Sequence, residues 1–270
     1  MGARQDQNDG RESGVRLVES NMYEWPLIIV ADLEGPIARG HITERERLYR
    51  ALTRRPNCIL IYLTHRYIES ARAFQELMYL PRPHFFVTDT GASVAPGRGD
   101  RSIAVVDREL DRNWPGSPEI LTRLEALDHL MDTHPLEAPR RVSFVTRDGV
   151  TTQDVVPKAE QLLKRLDVQV VAEDPVHLDV VPRGVSPKRT LDRVLSWIDL
   201  DRQWEVLVVV GSADEMQLVD DNSRAIVVAA PDDRWAQAAA QRPRAHRAAR
   251  DGCAGIYDAA VELGLLDPQD

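Results

Sequence analysis

Short apolar runs that stop abruptly at polar clusters recur along the chain, alternating with stretches whose apolar residues fall three and four apart. Leu27-Ile28-Ile29-Val30 is a run of the buried-strand type. It stops at Ala31-Asp32-Leu33-Glu34-Gly35-Pro36, where two acids, a glycine and a proline end the strand and turn the chain. Leu48 and Leu52, four apart within 43–54, predict a short amphipathic helix that Thr43 caps. Residues 58–63 read as a second buried strand, stopping at Thr64-His65-Arg66. A helix over 68–80 puts Ala71, Phe74, Leu77 and Met78 on one face, and Pro81 and Pro83 end it. Phe85-Phe86-Val87 is a third strand, followed by a loop signature, Thr88-Asp89-Thr90-Gly91-Ala92-Ser93. Strand, helix, strand, helix, strand predicts an α/β fold with a parallel, doubly wound, Rossmann-like sheet.

The rhythm then changes. A Gly/Pro/Arg turn region at 96–101 leads to a predicted helix over 119–133 with Leu121, Leu124, Leu127 and Leu130 facing inward. A strand at 141–145, a helix at 157–166 and strands at 168–171 and 177–181 follow, the pattern of a smaller α+β layer inserted into the first. After Pro182-Arg183-Gly184 the first rhythm returns, with a helix at 187–198, a very apolar strand at 205–210 ending at Gly211, and a strand at 225–229. Helices at 235–240 and 254–265 close the chain. The expected organisation is a flexible polar tail (1–22), a core domain built from 23–102 and 184–270, and an inserted cap domain (103–183).

At 270 residues, 43% of them hydrophobic, the chain is long enough to bury a full core. A net charge of −9 argues against a nucleic-acid binder that relies on phosphate attraction. No apolar run approaches the ~20 residues of a membrane span, and the polar N-terminal residues lack the apolar core of a signal peptide. Cys58 and Cys253 fit neither a zinc nor a disulfide spacing, so a reducing cytoplasm is the expected location. Lysine occurs only at 158, 164 and 188, so each lysine draws notice.

Several chemical groups fall where the predicted sheet strands end. Asp32 and Glu34 follow the first strand, and on extended chain residues two apart point the same way. Thr64 follows the second strand, Lys188 opens the helix after the inserted layer, and Asp214 and Glu215 follow the strand ending at Gly211. Ligands bind at the carboxyl ends of the strands in open α/β sheets. An acid pair, a hydroxyl, a lysine and a further acid are the parts for phosphoryl transfer through a carboxylate nucleophile, where charge must be neutralised while the nucleophile lines up. Magnesium takes hard oxygen ligands and only a couple of protein carboxylates.

These motifs resemble those of the haloacid dehalogenase (HAD) superfamily of phosphohydrolases, and within it the sucrose-phosphate phosphatase-like group with a large α/β cap. Asp32-Leu33-Glu34-Gly35-Pro36 sits where the family has Asp-x-Asp-Gly-Thr, and Thr64-His65-Arg66 is similar to its Thr-Gly-Arg. Thr90-Gly91-Ala92-Ser93-Val94, the stretch from Leu178 through Ser186-Pro187-Lys188, and the tail from Arg224 to Ile256 also follow the family's order. The resemblance implies an Mg²⁺-dependent phosphatase of a small phosphorylated metabolite, a sugar phosphate, with Mn²⁺ as an alternative ion. It implies that Asp32 is the nucleophile and a metal ligand. It makes Glu34 the general acid/base, with its backbone carbonyl on the metal. Thr64, His65 and Arg66 would bind the phosphoryl group, Lys188 would neutralise it, and Asp214 or Glu215 would complete the metal site. The inserted layer would close over the substrate. His177, at a strand start, reads as a hydrogen-bonded structural histidine.

The chain departs from that pattern at the chemistry itself. Glu34 adds a methylene to the acid/base position, a displacement that costs ~10²-fold in rate where nothing compensates. Pro36 removes a hydroxyl and a backbone donor, and His65 adds bulk beside the phosphoryl oxygens. Gly211-Ser212-Ala213-Asp214-Glu215 lacks the acid that follows the glycine in the family's Gly-Asp-Ser-x-Asn-Asp. Two alternatives follow from these departures: a catalytically impaired relative that binds a phosphorylated sugar or a protein partner, and a phosphotransferase to a sugar hydroxyl.

Overall fold

The structure, a computed structural model, describes residues 26–99, 104–112, 114–133, 138–172, 174–198, 204–228, 233–239 and 241–268. The expected flexible tail, 1–22, lies outside them. Two sheets form among the described residues. The larger contains β1 (Leu27–Asp32), β2 (Cys58–Leu63), β3 (Phe85–Thr88), β4 (Ser93–Pro96), β9 (Glu205–Val210), β10 (Arg224–Val227) and β11 (Ala245–Arg247), in the order β11-β10-β9-β1-β2-β3-β4. All its neighbours pair in parallel except β3 with β4, which form an antiparallel edge. The smaller sheet, β5 (Leu130–Asp132), β6 (Val142–Thr146), β7 (Val168–Ala172) and β8 (His177–Pro182), runs β5-β6-β8-β7 and is antiparallel throughout.

The larger sheet is buried on both faces, which is why its strands are continuous apolar runs rather than alternating ones. Leu27, Ile29, Ala31 and Leu33 pack beneath α1 (Ile42–Arg54) and α8 (Gly252–Glu262), while Ile28 and Val30 face Leu191 and Val194 of α6 (Pro187–Trp197). The smaller sheet carries α4 (Ser117–Leu124) and α5 (Thr152–Leu163) on one face, over a core of Ile120, Leu124, Phe144, Val155, Leu163 and Leu178. Along β7, Val168 and Val170 join that core, whereas Gln169 and Val171 look the other way, towards the larger sheet.

Several sequence expectations are corrected. The helix expected over 119–133 ends at Leu124, and Leu130 begins β5. The leucines keep their threefold spacing across the intervening turn and all pack on the second core, so apolar spacing alone could not place the boundary. The helix expected from Pro157 begins at Thr152, because Thr151 and Asp154 cap it: Asp154 Oδ2 accepts from Thr151 N at 3.0 Å and from its hydroxyl at 2.8 Å. His41, not Thr43, caps α1, its Nδ1 accepting from the Thr43 amide while the His41 amide donates to Glu44. α2 (Ile68–Leu77) stops before residue 80 and leaves Leu77 74% exposed rather than on the buried face. Three short elements, β4, β11 and α3 (Ala104–Asp111), are additions to the expected list.

Two glycines lock the loops together. Gly211 follows β9, and a Cβ there would meet Pro36 Cδ and Cγ at 2.5 Å. Gly91 has φ +93°, and a Cβ there would lie 2.6 Å from the backbone of Ser186. The Gly91 carbonyl accepts from Thr190 Oγ1 at 2.7 Å, and Ser186 caps α6 by accepting from Arg189 N at 3.2 Å. Gly91→Ala therefore meets both a disfavoured φ and rigid backbone. It is expected to lower stability by about 2 kcal/mol or more, read as a reduced urea midpoint at unchanged slope.

Candidate active site

The larger sheet grows outward from β1 in both directions, to β2 and β3 on one side and β9, β10 and β11 on the other. The gap beyond the carboxyl ends of β1 and β9 is therefore the topological switch point, the place where α/β sheets bind ligands. An open cleft of about 1040 Å³ lies there. Asp32, Glu34, Thr64, His65, Arg66, Ser212, Asp214 and Glu215 line it from the larger sheet, and Gln169, Val171, Ala172, Asp174 and His177 from the smaller.

Asp32 is the last residue of β1, and its carboxyl is pushed up to about 7. Burial is the largest cause, followed by the negative charges of Glu34 and Glu215, while His65 and a hydrogen bond from the Leu33 amide pull the other way. Glu215 reaches back over its own loop, its carboxylate accepting from Gly211 N at 2.8 Å and Ser212 Oγ at 3.0 Å. Burial also raises its pKa above the ordinary value. Of the two acids after Gly211, Glu215 is the one whose charge acts on Asp32; Asp214 lines the cleft beside it.

Glu34, itself open to solvent, reaches to the loop after β2. Its carboxylate accepts from the buried Thr64 hydroxyl at 2.9 and 3.0 Å and from Arg66 Nε at 2.5 Å. Arg66 is aimed by α2: its Nη1 donates to Ser70 Oγ at 3.0 Å, and its guanidinium lies 4.7 Å from the Phe74 ring centre. The Arg66 amide in turn donates to Thr64 Oγ1 at 3.1 Å. Ser186 and Pro187 form part of the cleft wall, but the Lys188 ammonium, next in the chain, lies 2.5 Å from Asp192 Oδ1 and 3.8 Å from Asp220 Oδ2.

Sequence reasoning missed two features. Arg141, 7% exposed just before β6, pairs with Asp89 in the turn after β3 at 3.3 Å and with Asp179 of β8 at 3.6 Å, and donates to the His65 carbonyl. It thereby fixes the loop that carries Thr64 and His65 to the inserted layer. Nothing in the Arg140-Arg141 pair itself signals this, because its partners are distant in sequence. The second is Asp174, which organises the turn before β8: its Oδ1 accepts from the Val176 and His177 amides and its Oδ2 lies 2.6 Å from His177 Nδ1. The Asp174-Pro175 pair is the turn signal that marks it.

Among the described residues no three His, Cys, Asp or Glu side chains form a metal cage. Asp32 and Glu215 nonetheless fit an ion that takes one or two carboxylates and keeps its own waters. The burial and repulsion that raise both carboxyls are what a divalent cation relieves.

Residues 25–262 match the family described as Sucrose-6F-phosphate phosphohydrolase. The chain is 27% identical to a glucosylglycerol-phosphate synthase of Pseudomonas anguilliseptica over 244 residues, 90% of this chain and 31% of that protein. It is 26% identical to a probable sucrose-phosphatase 3a of Arabidopsis thaliana over 184 residues, 65% of this chain and 43% of that one. The chain thus spans less than half the length of these curated relatives. In fold it is similar to the sucrose-phosphatase of Synechocystis sp. PCC6803, solved with sucrose and phosphate (TM-score 0.65, 22% identity, 88% of this chain and 98% of that one). It is also similar to the trehalose-6-phosphate phosphatase of Aspergillus fumigatus (TM-score 0.56, 13% identity, 90% and 95%).

The crowding of Asp32 has a sign that can be measured. Its folded pKa, about 7, exceeds the ordinary 3.8. Between those values the metal-free folded chain therefore holds more protons than the unfolded one, and stability falls as pH rises. Asp32→Asn is expected to flatten that slope and to raise stability at pH 8 by roughly 1–3 kcal/mol, read by urea unfolding in EDTA at pH 5 and pH 8.

Proposed function

The chain belongs to the Sucrose-6F-phosphate phosphohydrolase family, and we propose that it is a metal-dependent phosphatase of a phosphorylated sugar or polyol, acting through an aspartyl-phosphate. The observation that carries this reading is the position of Asp32: a half-buried carboxylate at the switch point, with a hydroxyl and a guanidinium on the loop of the neighbouring strand in the same cleft. In the proposed cycle an Asp32 oxygen attacks phosphorus, and the bond to the leaving alkoxide breaks. Thr64 and Arg66 hold phosphoryl oxygens while charge spreads over them. Glu34, once moved off those donors and protonated from solvent, gives the leaving oxygen that proton and then takes one from the water that cleaves the aspartyl-phosphate. A divalent ion held by Asp32, the Glu34 carbonyl and Glu215 would supply charge neutralisation of the phosphoryl group.

The charge of the cleft supports a reading of the leaving group. Five acids face it, Asp32, Glu34, Asp174, Asp214 and Glu215, against Arg66 and two histidines. A second anionic group on the substrate would meet repulsion there, so the proposed leaving group is a neutral polyol or sugar, read by Asp174 and His177 from the smaller sheet, which serves as the cap.

A second reading rests on two observations: Lys188 is paired with Asp192 and Asp220, and Glu34 with Thr64 and Arg66. Under it the protein binds a phosphorylated sugar without turning it over. Phosphate release from a panel of sugar phosphates in Mg²⁺, Mn²⁺ or EDTA separates the two. The phosphatase reading expects metal-dependent turnover that Asp32→Asn reduces by about 10³-fold or more. Binding of a sugar phosphate with no turnover on any of them would establish the second reading instead.

A further inference from the structure

The cleft has one site where a hydroxyl and a guanidinium converge on an anion, and the chain fills it with its own anion. The Thr64 hydroxyl has a single hydrogen to give, and its oxygen also accepts the Arg66 amide at 3.1 Å. That hydrogen goes to Glu34, whose two carboxylate oxygens lie 2.9 and 3.0 Å away. Arg66 Nε adds a second, charge-assisted donor at 2.5 Å to one of those oxygens. To such a pair of donors a carboxylate and a phosphoryl group present the same thing, adjacent oxygens sharing negative charge.

We infer that the Glu34 carboxylate occupies the oxyanion position that a phosphoryl group takes up, which makes Glu34 a specificity-determining residue, an internal competitor that discriminates against free phosphate. The inference deepens the phosphatase reading and rests on it for the identity of the incoming anion.

The physical argument is one of tethering. A carboxylate fixed to the chain two residues from Asp32 is present at high effective concentration, so any incoming anion must displace it. A phosphate ester brings a second set of contacts through its leaving group at Asp174 and His177, and these help to offset the displacement. Inorganic phosphate has no such second part, so it competes poorly. Displacement strands no buried charge, because the Glu34 and Arg66 side chains are 32% and 38% exposed. An aspartate at 34 is one methylene shorter and gives up this reach. The longer side chain at 34 therefore both guards the phosphoryl site and, once displaced, lies free beside it to move the proton.

The test is calorimetric titration of inorganic phosphate, with Mg²⁺, into the full wild-type chain, Glu34→Ala and Glu34→Asp, each checked for an unchanged melting transition. Clearing the site is expected to tighten phosphate binding about 10-fold in Glu34→Ala, with Glu34→Asp between that variant and wild type. Equal or weaker binding in both variants overturns the inference. Turnover is read separately. Wild-type hydrolysis that resists added phosphate, together with Glu34→Asp hydrolysis that phosphate inhibits, supports the inference. If the wild type hydrolyses esters but Glu34→Ala binds phosphate no more tightly, the inference falls and the phosphatase reading stands. If no ester is hydrolysed but phosphate binding tightens, the reverse holds.

Discussion

Crowding of negative charge at the end of one buried strand governs this molecule. β1 must be apolar on both faces because helices cover both sides of its sheet, and that burial places Asp32 at the boundary between core and cleft. Glu34 and Glu215 add their charges to a carboxyl that burial already disfavours. Every neighbouring device manages that charge. Gly211 and Ser212 hold Glu215, Thr64 and Arg66 hold Glu34, and Asp32 keeps a proton to unusually high pH. Each arrangement is provisional in the sense that a cation or a phosphoryl group would redistribute the partners.

The larger sheet was legible because its strands are short apolar runs that end at polar clusters, and a doubly wound sheet produces that pattern directly. Edge elements were not. β4 and β11 are too short, and too mixed in polarity, to stand out from loops. In the inserted layer, Leu121, Leu124, Leu127 and Leu130 continue one spacing across a turn, and only the caps and pairing partners separate helix from strand. At the site, proximity in sequence carried the information. Asp32 and Glu34 are two apart on one strand end, and Thr64 and Arg66 share one loop. That Thr64 and Arg66 both hold Glu34 involves contacts 30 and 32 residues apart and follows from no local pattern. Lys188 shows the same limit: the spacing put it at the right helix end, but its ammonium rests on Asp192 and Asp220.

Arg141 ties together what the chain order separates. One guanidinium, buried where the inserted layer leaves the larger sheet, meets Asp89 on one side, Asp179 on the other and the carbonyl of His65. Such a buried charge is costly unless all its partners are present. Burial pushes the Asp89 carboxyl up to about 6, and Arg141 opposes that rise. Movement of the smaller sheet relative to the larger is thus felt at the loop that carries Thr64.

Pro36 and Gly211 give the site a fit of its own. The proline ring fills the space that a side chain at 211 would need, so the turn after β1 and the loop after β9 are fitted to each other across the switch point. The Pro36 ring is what rests against the bare backbone of Gly211. Any side chain at 211 would collide with that ring. The two positions form a single unit of shape: the loop after β9 stays bare of a side chain at 211 for as long as the ring stands at 36.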